Sequence, residues 1–423
     1  MKKVLIQLIG GQTLPNIFSL LAVVPDVVVN IYTKDTEAQH EAIVAWCNKN
    51  GKKFNLNPVF REYPPVSRDF LQLRIELQSL LYSEAERVRK EEDALLILNM
   101  TGGTKPMSVT STQLCSVLEH YKNIRIPVFY VDTQMRRFDF LTHEEMRDDV
   151  LAHAPFSRRL NVYQLAESGG NTFVMSSKKN WGIVYPAAYL LRECCDNLSQ
   201  EDLTVDNVEE IIQLPMELLV KEGGREAVKV YVERALQNPD VVRGLESCGF
   251  APRDGSFYFS QRLREKADQI IKLKNEREGI NGGKIKRLLS DIQSAYTFLT
   301  GGWWEVIVAH AYSFRNPGSE VLWSVRTPVG KGAPLETDIV ATDGLSLTCI
   351  SCKRGLHKQV NQELEQLCTR TEILGGAISK RIIAVYRDAM KMATMAKALR
   401  MELWGWNGES VGRLEIEDKS TTN

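Results

Sequence analysis

The sequence predicts an α/β protein of 423 residues in three parts. These are a doubly wound N-terminal domain over 1–148, a mostly helical connector or insert over 149–280, and a C-terminal α/β domain over 281–423. Three observations predict it. Up to residue 145, short apolar runs alternate with stretches of helical length and pattern, as expected for parallel strands covered by helices on both faces. From 150 to 300 the patterns are largely helical. Beyond 300, apolar strands return around Asp343-Gly344, a strong two-residue hairpin signal.

Composition limits the possible functions. The 53 basic and 53 acidic residues cancel, so bulk positive charge is not how this chain would hold nucleic acid. Met1 to Gly10 carries an apolar run that is short and broken by Gln7, and it reads as a buried first strand rather than a leader. No apolar run reaches membrane-spanning length. The eight cysteines fall mostly in apolar surroundings, the usual place for reduced, packed thiols. A cytoplasmic location is therefore expected. Cys349-x-x-Cys352 lies within a strand, where residues three apart face opposite sides, and no second pair accompanies it; zinc is not expected.

Strands are expected at Val4–Ile9, Val27–Tyr32, 53–60, Ala94–Leu98, Pro127–Val131 and Phe138–Leu141. Helices are expected from Pro15, over 35–49, over 67–90 and from Pro106. Proline suits a first helical position because its missing N–H would be unpaired there anyway. With strand order 3-2-1-4-5, ligands bind beyond the carboxyl ends of strands 1 and 4, where the order reverses. The two most loop-like turns, Gly10 to Asn16 and Thr101 to Lys105, follow those strands. Their glycines permit close backbone approach, and a helix start beside Lys105 favours a phosphate. Neither loop is a Walker A or GxGxxG motif, so a plain helix-capping turn stands as the alternative.

Asn99-Met100-Thr101-Gly102-Gly103-Thr104-Lys105, after an apolar strand, resembles the ligand loop of CARF domains. These are Rossmann-like sensors of cyclic oligoadenylate from type III CRISPR complexes. The resemblance implies a homodimer that binds the ring across its two-fold axis. It implies that Thr101, Gly102, Gly103, Thr104 and Lys105 line the site, with Gln12 and Thr13 on the other loop.

In the middle of the chain, helices are expected over 185–197, 205–222, 224–237 and 260–275, with a break at Ser168-Gly169-Gly170-Asn171. Lys272–Arg277 and Lys284–Arg287 are basic and read as solvated helix faces. Connector, winged-helix-like insert and part of the last domain all remain open for this region.

In the last part, Glu305 and His310 sit on an apolar helix after Gly301-Gly302. Five residues apart, they do not share a helical face, so His310 reads as structural. Trp303 and Trp304 read as core anchors. Alternation puts Glu336, Asp338 and Val340 on one strand face, and Cys349, Ser351 and Lys353 on one face of the next. Pairing back from an ideal two-residue turn sets Asp338 opposite Cys349 and Glu336 opposite Ser351. Acids gather in this way where a divalent metal neutralises them, although an acid and a lysine on neighbouring strands also form ordinary ion pairs. After Lys353 a helix is expected over 359–374. Gln362, Glu363 and Gln366 on it read as a solvated face.

Glu305, Asp338 and Lys353 together resemble the PD-(D/E)xK nuclease core, a restriction-endonuclease-like α/β domain. The resemblance implies that Glu305 and Asp338 bind Mn2+ or Mg2+, helped by the Cys352 backbone carbonyl, and that Lys353 is the catalytic lysine. Ser351 stands where that motif has its second acid, and Glu336 is the candidate to compensate. The order of modules resembles the CARF-domain CRISPR ancillary nucleases. It implies an antiviral, metal-dependent endonuclease, activated by cyclic tetra-adenylate, that cuts single-stranded RNA or DNA; nicking of duplex DNA also occurs in the family. The alternatives are a cyclic-nucleotide-sensing regulator whose inactive nuclease core only binds nucleic acid, and a nucleotide-metabolising enzyme.

Overall fold

The structure is a computed structural model. It describes residues 1–415 except 92, 170–175, 179, 195–202, 221, 276–281, 328–334, 356–359 and 376–378. The N-terminal unit runs β1 (Lys2–Leu8), α1 (Leu14–Val23), β2 (Val27–Ile31), α2 (Glu37–Asn50), β3 (Val59–Arg61), α3 (Phe70–Arg89), β4 (Ala94–Asn99), α4 (Lys105–Lys122), β5 (Val128–Asp132) and β6 (Arg137–Phe140). The sheet order is β3-β2-β1-β4-β5-β6. The first five strands are parallel and β6 returns antiparallel to β5. The order reverses between β1 and β4, so the loops after these two strands share the crevice, as the sequence pattern implies. Strand β3 is shorter than expected, because 51–54 close a 3₁₀ turn after α2.

Next come α5 (Arg147–Val150), α6 (Val162–Ser168), β7 (Ser176–Lys178), α7 (Trp181–Cys194), α8 (Val208–Gln213), α9 (Arg225–Leu236), α10 (Pro239–Ser247), β8 (Phe250–Arg253), β9 (Ser256–Phe259), α11 (Gln261–Asn275) and α12 (Gly282–Thr297). The helix expected over 205–222 is cut to α8. Leu214 before Pro215 is extended, because the proline ring disfavours a helical residue ahead of it. The β8–β9 hairpin was not legible as strands. It turns at Asp254-Gly255, both with positive φ, as its type of two-residue turn requires. The break expected at 168–171, the basic stretch at 272–277, the end of the helix over 185–197 and the helix start at Gln359 run partly outside the described residues.

The remaining elements are α13 (Trp303–Arg315), β10 (Glu320–Thr327), β11 (Leu335–Thr342), β12 (Leu347–Lys353), α14 (Val360–Gly375), β13 (Lys380–Val385), α15 (Ala393–Ala398), β14 (Glu402–Trp406) and β15 (Val411–Arg413). They build a mixed sheet of order β15-β14-β13-β12-β11-β10-β7. Strand β7 pairs with β10, and one apolar core joins α7 through α12 to α13, Ile339 and Ile350. Helices α7 to α12 therefore share one apolar core with the C-terminal strands.

A second core joins the two units. It runs from Leu5, Phe18 and Trp46 through Val162, Leu165 and Ala166 of α6 to Val340, Cys349, Leu364 and Leu367. Helix α6 touches α1 and α2 on one side and β11, β12 and α14 on the other. Trp46 Nε1 donates to the Gln164 carbonyl at 2.9 Å, and Val162 N donates to Glu320 Oε2 at 2.8 Å.

No helix among the described residues is long and apolar enough to cross a membrane. Burial pushes the Cys47 and Cys115 thiols up to about 12 and Cys349 up to about 11. Only the thiolate attacks disulfide reagents, so these three thiols should stay unlabelled at pH 8 while half-buried Cys248 and Cys368 react. Peptide mapping of the labelled protein, native and then denatured, checks this.

Candidate functional site

Two clusters of the expected residues form, one in each unit. In the N-terminal unit the loops after β1 and β4 meet backbone to backbone. A Cβ on Gly102 would stand 2.1 Å from the Leu8 carbonyl oxygen and 3.0 Å from Asn16 Oδ1, and one on Gly103 would stand 2.8 Å from the Leu8 side chain. These glycines are required by contact, since their φ values are not positive.

Asn99, fully buried, organises the second loop. Its Oδ1 accepts from Thr101 N at 3.0 Å and from Thr101 Oγ1 at 2.6 Å. The Thr101 hydroxyl in turn accepts from Val131 N at 2.7 Å, tying the loop to β5. Thr104 caps α4, its Oγ1 accepting from Met107 N at 3.4 Å. The helix begins at Lys105, one residue ahead of the expected proline. Lys105 is exposed at this first turn, where the helix dipole favours an anion.

On the first loop, Gln12 is exposed. Thr13 is 5% exposed and spends its hydroxyl on the Ser168 carbonyl at the end of α6. Asn16 Oδ1 and Asn99 Nδ2, both fully buried, have no hydrogen-bond partner among the described residues. Of the expected ligand-loop residues, Gly102, Gly103, Thr104, Lys105 and Gln12 thus border the crevice, while the Thr101 and Thr13 side chains hold the loops in shape.

In the C-terminal unit the hairpin register differs from the ideal one. Thr342 pairs with Leu347, Val340 with Cys349 and Ile339 with Ile350. The loop holds four residues rather than two, because Asp343 Oδ1 accepts from both Leu345 N and Ser346 N at 3.0 and 3.1 Å. The two-residue shift keeps every side chain on its face but moves Asp338 from Cys349 to Ser351. Asp338 Oδ2 accepts from Cys352 N at 2.6 Å and from Ser351 Oγ at 3.3 Å.

Asp338 is half-buried. Burial raises its pKa, while Lys353, the Cys352 N–H and Arg370 pull it back and Glu336 adds to the rise. Burial works to lower the Lys353 ammonium, but Asp338 and Glu363 more than offset it, and its pKa is raised. Lys353 Nζ lies 2.5 Å from Glu363 Oε2.

Glu336 does not stand opposite Ser351. It is exposed and leans toward β10, with Arg326 Nε at 3.5 Å and Ser324 Oγ at 3.4 Å. Ser324 lies in β10 with φ 51°. The β10–β11 ladder pairs Trp323 with Ile339 and Val325 with Thr337 but skips Ser324. Such an irregularity beside a reactive group re-aims side chains.

Glu305 comes from α13, which packs on the face of Ile339 and Ile350. Its Oε2 accepts from Trp323 Nε1 at 2.6 Å. Helix α14 covers the other face, with Leu364 and Leu367 against Val340 and Cys349. Burial raises the Cys352 thiol well above its usual range, with Asp338 and Glu305 adding to it, so both carboxylates lie within electrostatic reach of one residue. Glu305 also lines a cleft of about 180 Å3 with Ser324, Arg326 and Glu336.

Among the described residues no three His, Cys, Asp or Glu side chains gather closely enough to hold a metal. Mg2+ takes oxygen ligands and is commonly held by one or two carboxylates with several waters. The Asp338 carboxylate, the Cys352 carbonyl and one further carboxylate suit that kind of site.

His310 stacks on Tyr185 at 3.7 Å, and Trp303 and Trp304 are each 1% exposed; all three are structural. The residues that sequence reasoning missed are on α14. Glu363 pairs with Lys353, and Arg370 Nη1 donates to the Glu336 carbonyl at 2.6 Å, so this face is not simply solvated. Leu364, Leu367 and Leu374 mark the buried stripe, and Glu363 and Arg370, seven apart, both border it; that period was the available signal.

Residues 4–163 match the family model of the Card1 CARF domain. The N-terminal unit is thus a Rossmann-like CARF domain, followed by helices and a C-terminal sheet domain. No curated protein matches the sequence. Among solved structures, protein VC1899 of Vibrio cholerae is 15% identical, with TM-score 0.59 over 95% of this chain and 94% of that one. Can2 of Sulfobacillus thermosulfidooxidans, in complex with cyclic tetra-adenylate, is 16% identical, with TM-score 0.53 over 94% of each chain. At these identities the likeness establishes the fold.

Gly102→Ala should destabilise the protein by about 1–3 kcal/mol, the usual cost of overpacking. Urea denaturation beside wild type measures it.

Proposed function

We propose that this chain is a cyclic-oligoadenylate-activated nuclease of type III CRISPR defence, acting in the cytoplasm on single-stranded RNA or DNA. Cyclic tetra-adenylate is the assigned activator. The observation that carries the nuclease reading is the Asp338–Lys353 pair. A half-buried acid bonded by the Cys352 N–H shares a sheet face with a lysine whose ammonium pairs with Glu363. The CARF match and the likeness to a Can2 structure holding cyclic tetra-adenylate support the sensing half.

The ring would sit on the exposed Gln12 and on the Gly102–Lys105 turn, with Lys105 and the start of α4 meeting a phosphate. A symmetric ring suits an isologous homodimer. Leu71 and Ile75 in the first turns of α3, and Val109 one turn into α4, are exposed apolar residues, and they offer a surface for it. Thr13 ties the first loop to α6, and α6 touches β11, β12 and α14. A ligand that binds one dimer arrangement better than the other shifts the equilibrium by that difference, and this link can pass the shift to the second site.

At the second site, Asp338, the Cys352 carbonyl and Glu305 are assigned to hold Mn2+ or Mg2+. Such an ion, when bound, lowers the pKa of a coordinated water and screens charge on a scissile phosphate. Lys353 Nζ, kept protonated, donates to the non-bridging phosphate oxygens as charge builds there. Glu336 and Arg326 border the cleft by which a strand would approach. The larger neighbouring cleft, about 370 Å3, adds Arg262 and Lys266 for contact with the backbone.

The second reading is a ligand-sensing regulator whose retired nuclease core only binds nucleic acid. Ser351, a weak ligand spent on Asp338, favours it.

Asp338→Ala and Lys353→Ala should each reduce ligand-dependent cleavage of labelled RNA or DNA with Mn2+ by more than 100-fold, with cyclic tetra-adenylate binding intact. Full cleavage by either variant would overturn the site, and ligand-dependent binding without any scission would favour the regulator. Lys105→Ala should weaken cyclic tetra-adenylate binding about tenfold in calorimetry, with partial recovery of activity at high ligand. Unchanged affinity would remove Lys105 from the sensor.

A further inference from the structure

We propose that a row of half-exposed rings at one end of the C-terminal sheet is a stacking platform for the bases of a single nucleic-acid strand. The row is Tyr386, Trp406, Tyr189 and Tyr185, with Arg192 set between two of the rings. The ligand class rests on the nuclease reading; the site rests on the geometry of the rings.

Spacing and register bring these residues together. Tyr185, Tyr189 and Arg192 follow one another by four and three residues on α7, so they share one face of that helix. Tyr386 directly follows β13, and Trp406 ends β14. Strands β12, β13 and β14 are parallel, with Lys353 opposite Val385 and Val385 opposite Gly405. Tyr386 and Trp406 therefore stand at the same end of the sheet as Lys353. Tyr386 N donates to the Lys353 carbonyl at 2.8 Å. Neighbouring strands lie about 4.8 Å apart, so two steps carry the row about 10 Å from the end of β12.

The contacts along the row are continuous. The Tyr386 and Trp406 rings are 6.4 Å apart. The Arg192 guanidinium lies 4.2 Å from the Trp406 ring and 4.6 Å from the Tyr189 ring. Tyr189 is 5.7 Å from Tyr185. Trp303 and Trp304, both buried, back Tyr386 at 5.1 and 5.2 Å and fix its place.

Rings that served only the core would be closed over, as Trp303 and Trp304 are. Tyr189 is instead 37% exposed, and Tyr185, Tyr386 and Trp406 are half-buried. Arg192 Nε has no hydrogen-bond partner among the described residues, so the guanidinium faces rings rather than acceptors. Glu193, 3.5 Å from Arg192, is shared with Arg234 at 3.0 Å, so two cations here meet one acid. Aromatic faces with an interleaved arginine suit a single strand of any sequence, because every base has a π-face. A duplex keeps those faces covered by its own stacking, and only unstacked bases can use such rings.

The row also lies where a strand would pass. In the opposite direction from Lys353 come β11 and β10, whose Glu336 and Arg326 border the cleft beside Glu305. Lys353 thus stands between a cleft suited to the phosphate backbone and a row suited to the bases.

The test is fluorescence anisotropy of labelled single-stranded RNA and DNA, and of the matching duplexes, on the full-length protein with cyclic tetra-adenylate. EDTA is present so that nothing is cut. Wild type is compared with Y189L, W406L and the ring-retaining Y189F and W406F, with thermal melts alongside. Y189L and W406L should each weaken single-strand binding about tenfold, the scale of one lost base stack. Y189F and W406F should stay close to wild type. The slope of affinity against salt should not change, because no phosphate contact is lost, and duplex binding should not move.

Single-strand affinity equal to wild type in both leucine variants would overturn the platform. So would an equal loss in the phenylalanine variants, a parallel loss of duplex binding, or no single-strand binding by wild type. If W406L melts low, Y189L decides, since Tyr189 lies outside the apolar core. Ring-dependent binding with no scission once Mn2+ is added would sink the nuclease reading and leave the platform standing. Scission by wild type, with both leucine variants binding and cutting equally well, would sink the platform and leave the nuclease reading standing.

Discussion

A carboxylate inside a sheet must be stabilised by its neighbours, and Asp338 imposes that condition on the whole C-terminal unit. Burial raises its pKa, so the charged form persists only where donors and cations surround it. The Cys352 N–H, the Ser351 hydroxyl, Lys353 and Arg370 fill that need. They come from β12 and α14, so the positions of those elements are tied to one side chain. The four-residue loop capped by Asp343 sets the register that brings Ser351, rather than Cys349, to the acid.

A second constraint joins the two units. One core runs from the CARF sheet through α6 to α14 and the face of Val340 and Cys349. Close-packed interiors transmit displacement because they have few voids to absorb it. The loop after β1, which borders the sensing crevice, is bonded to the end of α6. Further polar links, such as Arg136 to Asp343, bind the rim of the first sheet to the hairpin that sets the register of the second. Sensing loop and acid–lysine pair therefore belong to one packed body.

The middle of the chain takes its meaning from packing rather than from motif. Its helices share a core with Trp303 and Trp304, and β7 extends the C-terminal sheet. Of the three readings the sequence leaves open for this region, its packing favours part of the last unit, with clefts opening between its helices and the strand of Trp323 and Arg326.

The sequence by itself determined the doubly wound N-terminal unit, the polar loops after strands 1 and 4, and the strand faces carrying Asp338 and Lys353, while the strand order that pairs those loops came from the structure. These follow from local periodicity and from glycine and turn chemistry, which neighbouring residues set. It also placed Trp303, Trp304 and His310 as structural. Only the tertiary structure decided the hairpin register, because Asp343 caps a four-residue loop where a two-residue turn was equally compatible with the residues. Only it turned Glu336 away toward Arg326, spent the Thr13 hydroxyl on α6 and brought Glu363 to Lys353. The last contact joins a strand end to a helix whose buried leucines pack on the face of Val340 and Cys349. No local pattern reports which of two helix-borne acids, Glu305 or Glu363, lands on the face of the sheet that carries the lysine; the packing of α13 and α14 on opposite faces settles that.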